Sequence, residues 1–135
     1  MNKALQIIIG ILAALTLLQA LWMAFDPQVT QDAMGIEATN GNLLGLSSLR
    51  ADVAGLFLGM GVMLALGLWQ RNSTWFLAVA LLMGTIAFGR LVGFVADGVT
   101  GMAVTNFVIE IVVIGLMWLA HRQLTEGAAA AEGAD

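Results

Sequence analysis

Arg90 and Glu110 are the two charges set deepest inside apolar stretches of the sequence. Arg90 interrupts the run Thr-Ile-Ala-Phe-Gly-Arg-Leu-Val-Gly-Phe-Val-Ala-Asp-Gly at 85–98, and Glu110 interrupts Phe-Val-Ile-Glu-Ile-Val-Val-Ile at 107–114. A charge in such surroundings is costly in lipid and persists by finding a partner. With the intervening turn centred on 98–101, both residues sit roughly 14 Å below it at helical rise. They are expected side by side on adjacent antiparallel helices, where an arginine and a carboxylate can form a two-donor pair.

Further polar groups gather around this pair. Asn106 precedes Glu110 by one helical turn, and Asp97 follows Arg90 by two, each on the same helix face as its neighbour. Arg50 and Asp52 open an earlier apolar run. Being two apart, they point in different directions on a helix. Arg50 is expected to face inward and meet Asp97, Asp26 or a lipid phosphate, and Asp52 to favour the positive N-terminal end of its helix. Arg50, Arg90, Asp97, Asn106 and Glu110 form the candidate ligand-binding set, a polar pocket in the outer half of a membrane. Its arginines favour a small or lipid-like anion. A second reading stays open: the Arg90–Glu110 pair only locks helix packing, in an accessory subunit of a larger membrane complex.

Other chemistry finds little support. The sequence has no cysteine and one histidine, so thiolate sites, disulfides and His-rich metal sites are excluded within the chain. His121 stands beside Arg122 at the end of an apolar run, where both favour the negative end of a helix. Ser47, Ser48 and Thr85 have no histidine near them for a serine-type triad. Met23, Met60, Met63, Met83, Met102 and Met117 read as packing residues. No catalytic residue, metal or cofactor is expected. An acid–base role for Glu110 or Asp97 rests only on carboxylates near arginines, so an enzyme is not the expected reading. A net charge of −4 gives no footprint for nucleic acid.

The elements that position these residues follow from composition. Of 135 residues, 60% are hydrophobic and 10% charged, with mean hydropathy +0.93. An ordinary soluble domain carries about 25% charge. Four runs reach the roughly 20 residues that a bilayer requires: Ala4–Phe25, Leu49–Trp69, Trp75–Ala96 and Met102–Ala120. The first, with Lys3 ahead of it, is similar to a signal peptide but has no clean small-x-small cleavage site, and is read as a retained helix. The expected fold is all-α, an integral membrane up-down-up-down four-helix bundle over 1–123. Residues 124–135 form an Ala-rich tail expected to be frayed or disordered.

Lys3, Arg71 and Arg122 would then share one face, and Asp26, Asp32, Glu37 and Asp97 the other. The positive-inside rule puts both termini in the cytoplasm. Trp69, Trp75 and Trp118 would anchor the inner interface, and Trp22 the outer one.

The one long connection runs over 26–48. Asp26 can cap a short interfacial helix that opens on Pro27 and ends at Gly35, with Val29, Ala33 and Ile36 as its apolar side. A turn is expected at Asn40-Gly41-Asn42, and Ser47 or Ser48 as the cap of the second span. Gly55–Gly59 and Gly89–Gly93 are GxxxG pairs. They predict close helix contact, either within the chain or in a homo-oligomer or partner membrane protein. Lipid, a small anion and such a partner are the expected associates.

The blocks Arg50-Ala51 with Gly55 and Gly59, Gly89-Arg90 with Asp97-Gly98, and Glu110, together with Pro27 and Gly35-Ile36, resemble a family of small bacterial four-helix membrane proteins classed as a domain of unknown function. The likeness covers roughly 25–119. Asp52-Val53-Ala54-Gly55 departs from the aromatic-Gly-Gly expected after Arg-Ala, so a close approach through glycine at 54 is not implied. The resemblance implies the four-helix topology and the importance of Arg50, Arg90, Asp97 and Glu110. It implies no activity.

Overall fold

The computed structural model describes residues 1–36 and 42–132. Its elements are α1 (Lys3–Phe25), α2 (Pro27–Met34), α3 (Leu43–Ser48), a π-helical stretch (Leu49–Ala54), α4 (Gly55–Gln70), α5 (Ser73–Ala96) and α6 (Gly101–Glu132). The fold is all-α, and no strand occurs among the described residues. Among the described residues, four helical segments are long and apolar enough to cross a membrane: Lys3–Phe25, Leu43–Gln70, Ser73–Ala96 and Gly101–Gly127. At most 28% of the most apolar window of each is buried. The large side chains left outside, among them Leu18, Leu81, Phe88 and Val95, therefore need lipid around them.

Side-chain caps set most of the boundaries. Asn2 Oδ1 accepts from the Leu5 amide at 2.8 Å and starts α1. Asp26 caps α2 through the Gln28 amide at 3.1 Å, with Pro27 in the first turn. Gly35, at φ 64°, ends α2 in the left-handed conformation and donates its N–H to Gln31 O. Asn72 Oδ1 caps α5 through the Thr74 amide at 3.0 Å. Thr100 Oγ1 accepts from the Ala103 amide at 3.2 Å and opens α6.

The second span departs from expectation. It opens at Leu43, because Asn42 Oδ1 accepts from the Leu44 amide at 3.0 Å and starts the helix there. Ser47 and Ser48 consequently lie within helical backbone, and Ser48 makes no side-chain capping bond. Asn40 and Gly41, where the turn was expected, lie outside the described residues, as do Glu37 and the side chains of Val29 and Ala33. Ile36 is exposed, and among the described side chains of α2 the buried one is Thr30.

The chain forms two compact units. Gly10–Ala65 holds most of α1, then α2, α3, the π-helical stretch and most of α4. In it α2 packs on the π-helical stretch, and Ala13, Ala20, Met23, Thr30, Leu49, Ala54, Met60 and Leu64 are buried. Gly61 is tight here: an added Cβ would come within 2.7 Å of the Leu17 side chain.

The other unit comprises Met1–Ile9 and Leu66–Asp135. Its centre is an antiparallel hairpin of α5 and α6. Contacts at three levels fix the register: Ser73 with His121, Arg90 with Glu110, and Phe94 with Phe107. Phe76, Val79, Met83, Ala87, Met117 and Ala120 are buried along it. The Asn2 amide donates to Gln123 Oε1 at 2.9 Å, and His121 Nδ1 lies 3.2 Å from Ser73 O. The N-terminus, the turn before α5 and the late part of α6 thus share one end of this unit. Helix α6 continues without interruption to Glu132.

Candidate functional site

The α5–α6 hairpin brings Arg90 and Glu110 together, as their equal depth required. Arg90 Nε and Nη2 both donate to one carboxylate oxygen, Glu110 Oε1, at 2.9 and 2.6 Å. The pairing is lopsided. In a fork-to-fork pair each carboxylate oxygen takes one donor; here Oε1 takes both, and Oε2 is buried with no hydrogen-bond partner. The Glu110 side chain is 9% exposed and that of Arg90 27%. Nη1 of Arg90 has no protein acceptor among the described residues. The carboxylate is therefore enclosed, while its cation opens outward from a helix whose neighbouring exposed side chains, Phe88, Leu91 and Val92, are apolar.

Phe94 and Phe107 complete this region, edge to face with ring centroids 5.8 Å apart and planes at 65°. They lie one turn from the ion pair toward the 97–100 turn, Phe94 four residues after Arg90 and Phe107 three before Glu110. Sequence reasoning passed over them, although spacings of three and four to the two charges place each on the face it occupies. An apolar lid on that side of the pair lowers the local dielectric and strengthens it.

Among the described residues, the remaining candidates make no hydrogen bond to the pair. Asn106 is half-buried, and its side chain makes no hydrogen bond among the described residues. Asp97 is exposed at the end of α5, where its backbone N–H bonds to Gly93 O. Arg50 belongs to the other unit. It is exposed, and its Nε donates to Ala24 O at 3.1 Å. That oxygen is one of the carbonyls the last turn of α1 leaves without an intrahelical donor, so Arg50 closes α1 from the start of the second span. Asp52 is exposed on the same π-helical stretch. Such stretches often mark functional positions.

The GxxxG pairs are open. A Cβ built on Gly55, Gly59 or Gly89 meets nothing within 4 Å, and on Gly93 only Asp97 Oδ2 at 3.8 Å. Close packing falls instead at Gly67, whose Cβ would lie 2.7 Å from the Phe76 ring. Among the described residues no group of three or more His, Cys, Asp or Glu could hold a metal ion.

A family model described as Domain of unknown function (DUF4345) matches residues 4–121. No match was found among curated proteins or among solved structures. The match spans most of the chain, so the protein belongs to that family.

Proposed function

We propose that this member of the family binds a small or lipid-like anion at Arg90, within the outer half of the bacterial inner membrane. The observation that carries the reading is the one-sided ion pair: Glu110 occupies Nε and Nη2, while Nη1 stays open on a 27% exposed side chain. A pair serving only to lock two helices would be expected to close both ends of the guanidinium. Glu110 orients Arg90, and Asn106 and Asp97 flank it on α6 and α5. Arg50 belongs to the other unit and is a separate, exposed guanidinium. Phosphate and carboxylate both match guanidinium geometry. Binding without chemistry, or binding as a step in transport, is the activity this arrangement serves.

The test uses the whole chain in detergent micelles with three probes: inorganic phosphate, a short-chain phosphatidate and an alkyl sulfate. The amphiphilic anions are expected to bind, and Arg90→Gln to weaken them by about tenfold or more. Binding that is unchanged by Arg90→Gln overturns the reading. Binding of inorganic phosphate as well as the lipid probes would assign the site to free anions.

The open glycine pairs favour a second reading, in which Gly55–Gly59 or Gly89–Gly93 docks another membrane chain. Cross-linking of the full chain in membranes, lost on Gly59→Leu or Gly93→Leu, would support it. A lone chain at every concentration would remove it.

A further inference from the structure

We propose that Glu110 Oε2 takes up a proton when an anion binds Arg90, so that the pair couples anion binding to proton uptake. This rests on the anion-site reading above and adds its regulation.

The geometry separates the two oxygens of the carboxylate. Oε1 accepts both donors from Arg90, while Oε2 is buried and accepts nothing. A proton on Oε2 would form an O–H bond there and leave Oε1 a carbonyl oxygen, still accepting both guanidinium bonds. Neither helix need move. Charge supplies the drive. Arg90 with ionised Glu110 is neutral; an anion added to Nη1 leaves one uncompensated negative charge in an apolar setting, where such a charge is costly. One proton on Oε2 restores neutrality. Oε2 has almost no accessible surface, so a proton fits where a larger donor would not.

Few other ionisable groups bear on this one. Of the described ionisable groups in the same unit, Arg90 alone is in contact with Glu110, and Asp97 on α5 lies two turns beyond it and exposed. On α6 itself, His121, Arg122 and Glu126 lie three turns or more away, Arg122 and Glu126 paired at 2.7 Å. Lys3 and Arg71 belong to the end occupied by His121.

The sign follows from linkage. The bound state holds one more proton than the free state, so affinity falls as pH rises, by up to about tenfold per unit. An alkyl sulfate is the probe, because its own charge does not change over the pH range used. With the full chain in micelles, three results are expected. Affinity weakens with rising pH. Weakly buffered wild-type protein takes up protons on binding. An infrared band of a protonated carboxyl appears with the probe. Glu110→Gln, whose amide carbonyl can still accept from Arg90, is expected to bind with the pH dependence and the band both lost. Arg90-dependent binding with no proton uptake and no pH dependence overturns the coupling while leaving the anion site standing. Absence of binding by the wild type overturns both. Proton uptake by the wild type needs no variant, so poor folding of Glu110→Gln does not decide the outcome.

Discussion

At the scale of single residues, the enclosed carboxylate makes the pair asymmetric in what each partner's removal does. Arg90→Ala leaves Glu110, 9% exposed, without its cation. Breaking a buried pair this way costs about 3–5 kcal/mol, reduced to the extent that lipid headgroups or water reach the site. Adding Glu110→Gln removes the stranded charge, so the double variant should recover part of the loss. Unfolding of the three proteins in one detergent checks this, and a double variant no more stable than Arg90→Ala would show that the two are not energetically paired. The sequence made the pairing legible, because equal distance from one turn fixes equal depth on antiparallel helices. It could not show that both donors fall on Oε1, which depends on side-chain torsions. Nor could it show Arg50 on Ala24 O, since that bond depends on where α1 ends relative to the second span.

At the scale of elements, caps were more legible than glycine patterns. Asp26, Pro27 and Gly35 bounded α2 as read, because each acts through local backbone geometry. GxxxG spacing predicted close contact at four glycines, within the chain or with a partner; within the chain, the tight positions among the described glycines are Gly61 and Gly67. Spacing shows which face is small and not which face meets a neighbour. Gly67→Ala should therefore force the buried Phe76 ring aside, at about 1–3 kcal/mol, whereas Gly59→Ala should be neutral or slightly stabilising. Thermal unfolding in micelles separates them; equal effects would mean that Gly67 is not tightly packed. The early start of the second span was hidden because Asn42 and the two serines all carry capping side chains, and the first one in the chain prevailed.

At the scale of the whole molecule, membrane residence was the plainest property to read, since it needs only composition and run length. The four apolar segments match the four helices within a few residues, apart from the early opening of the second and the long extension of α6. Orientation is testable by labelling. Lys3, Arg71 and Arg122 belong to the unit in which Asn2 meets Gln123 and Ser73 meets His121. If that end is cytoplasmic, Thr100→Cys should react with an impermeant thiol reagent added to the outside of intact spheroplasts. Gln123→Cys should react only after the membrane is opened. The chain has no native cysteine to interfere, and the reverse pattern would invert the topology.

Helix α6 passes from the ion pair to Glu132 without a break. Glu110 therefore stands on one continuous helix that extends roughly 33 Å beyond it. Over that length a small tilt at the ion pair would displace the far end by a larger distance, provided that the helix moves as one piece. A spin label near that end, paired with one on α5, would turn events around Glu110 into a measurable change of distance.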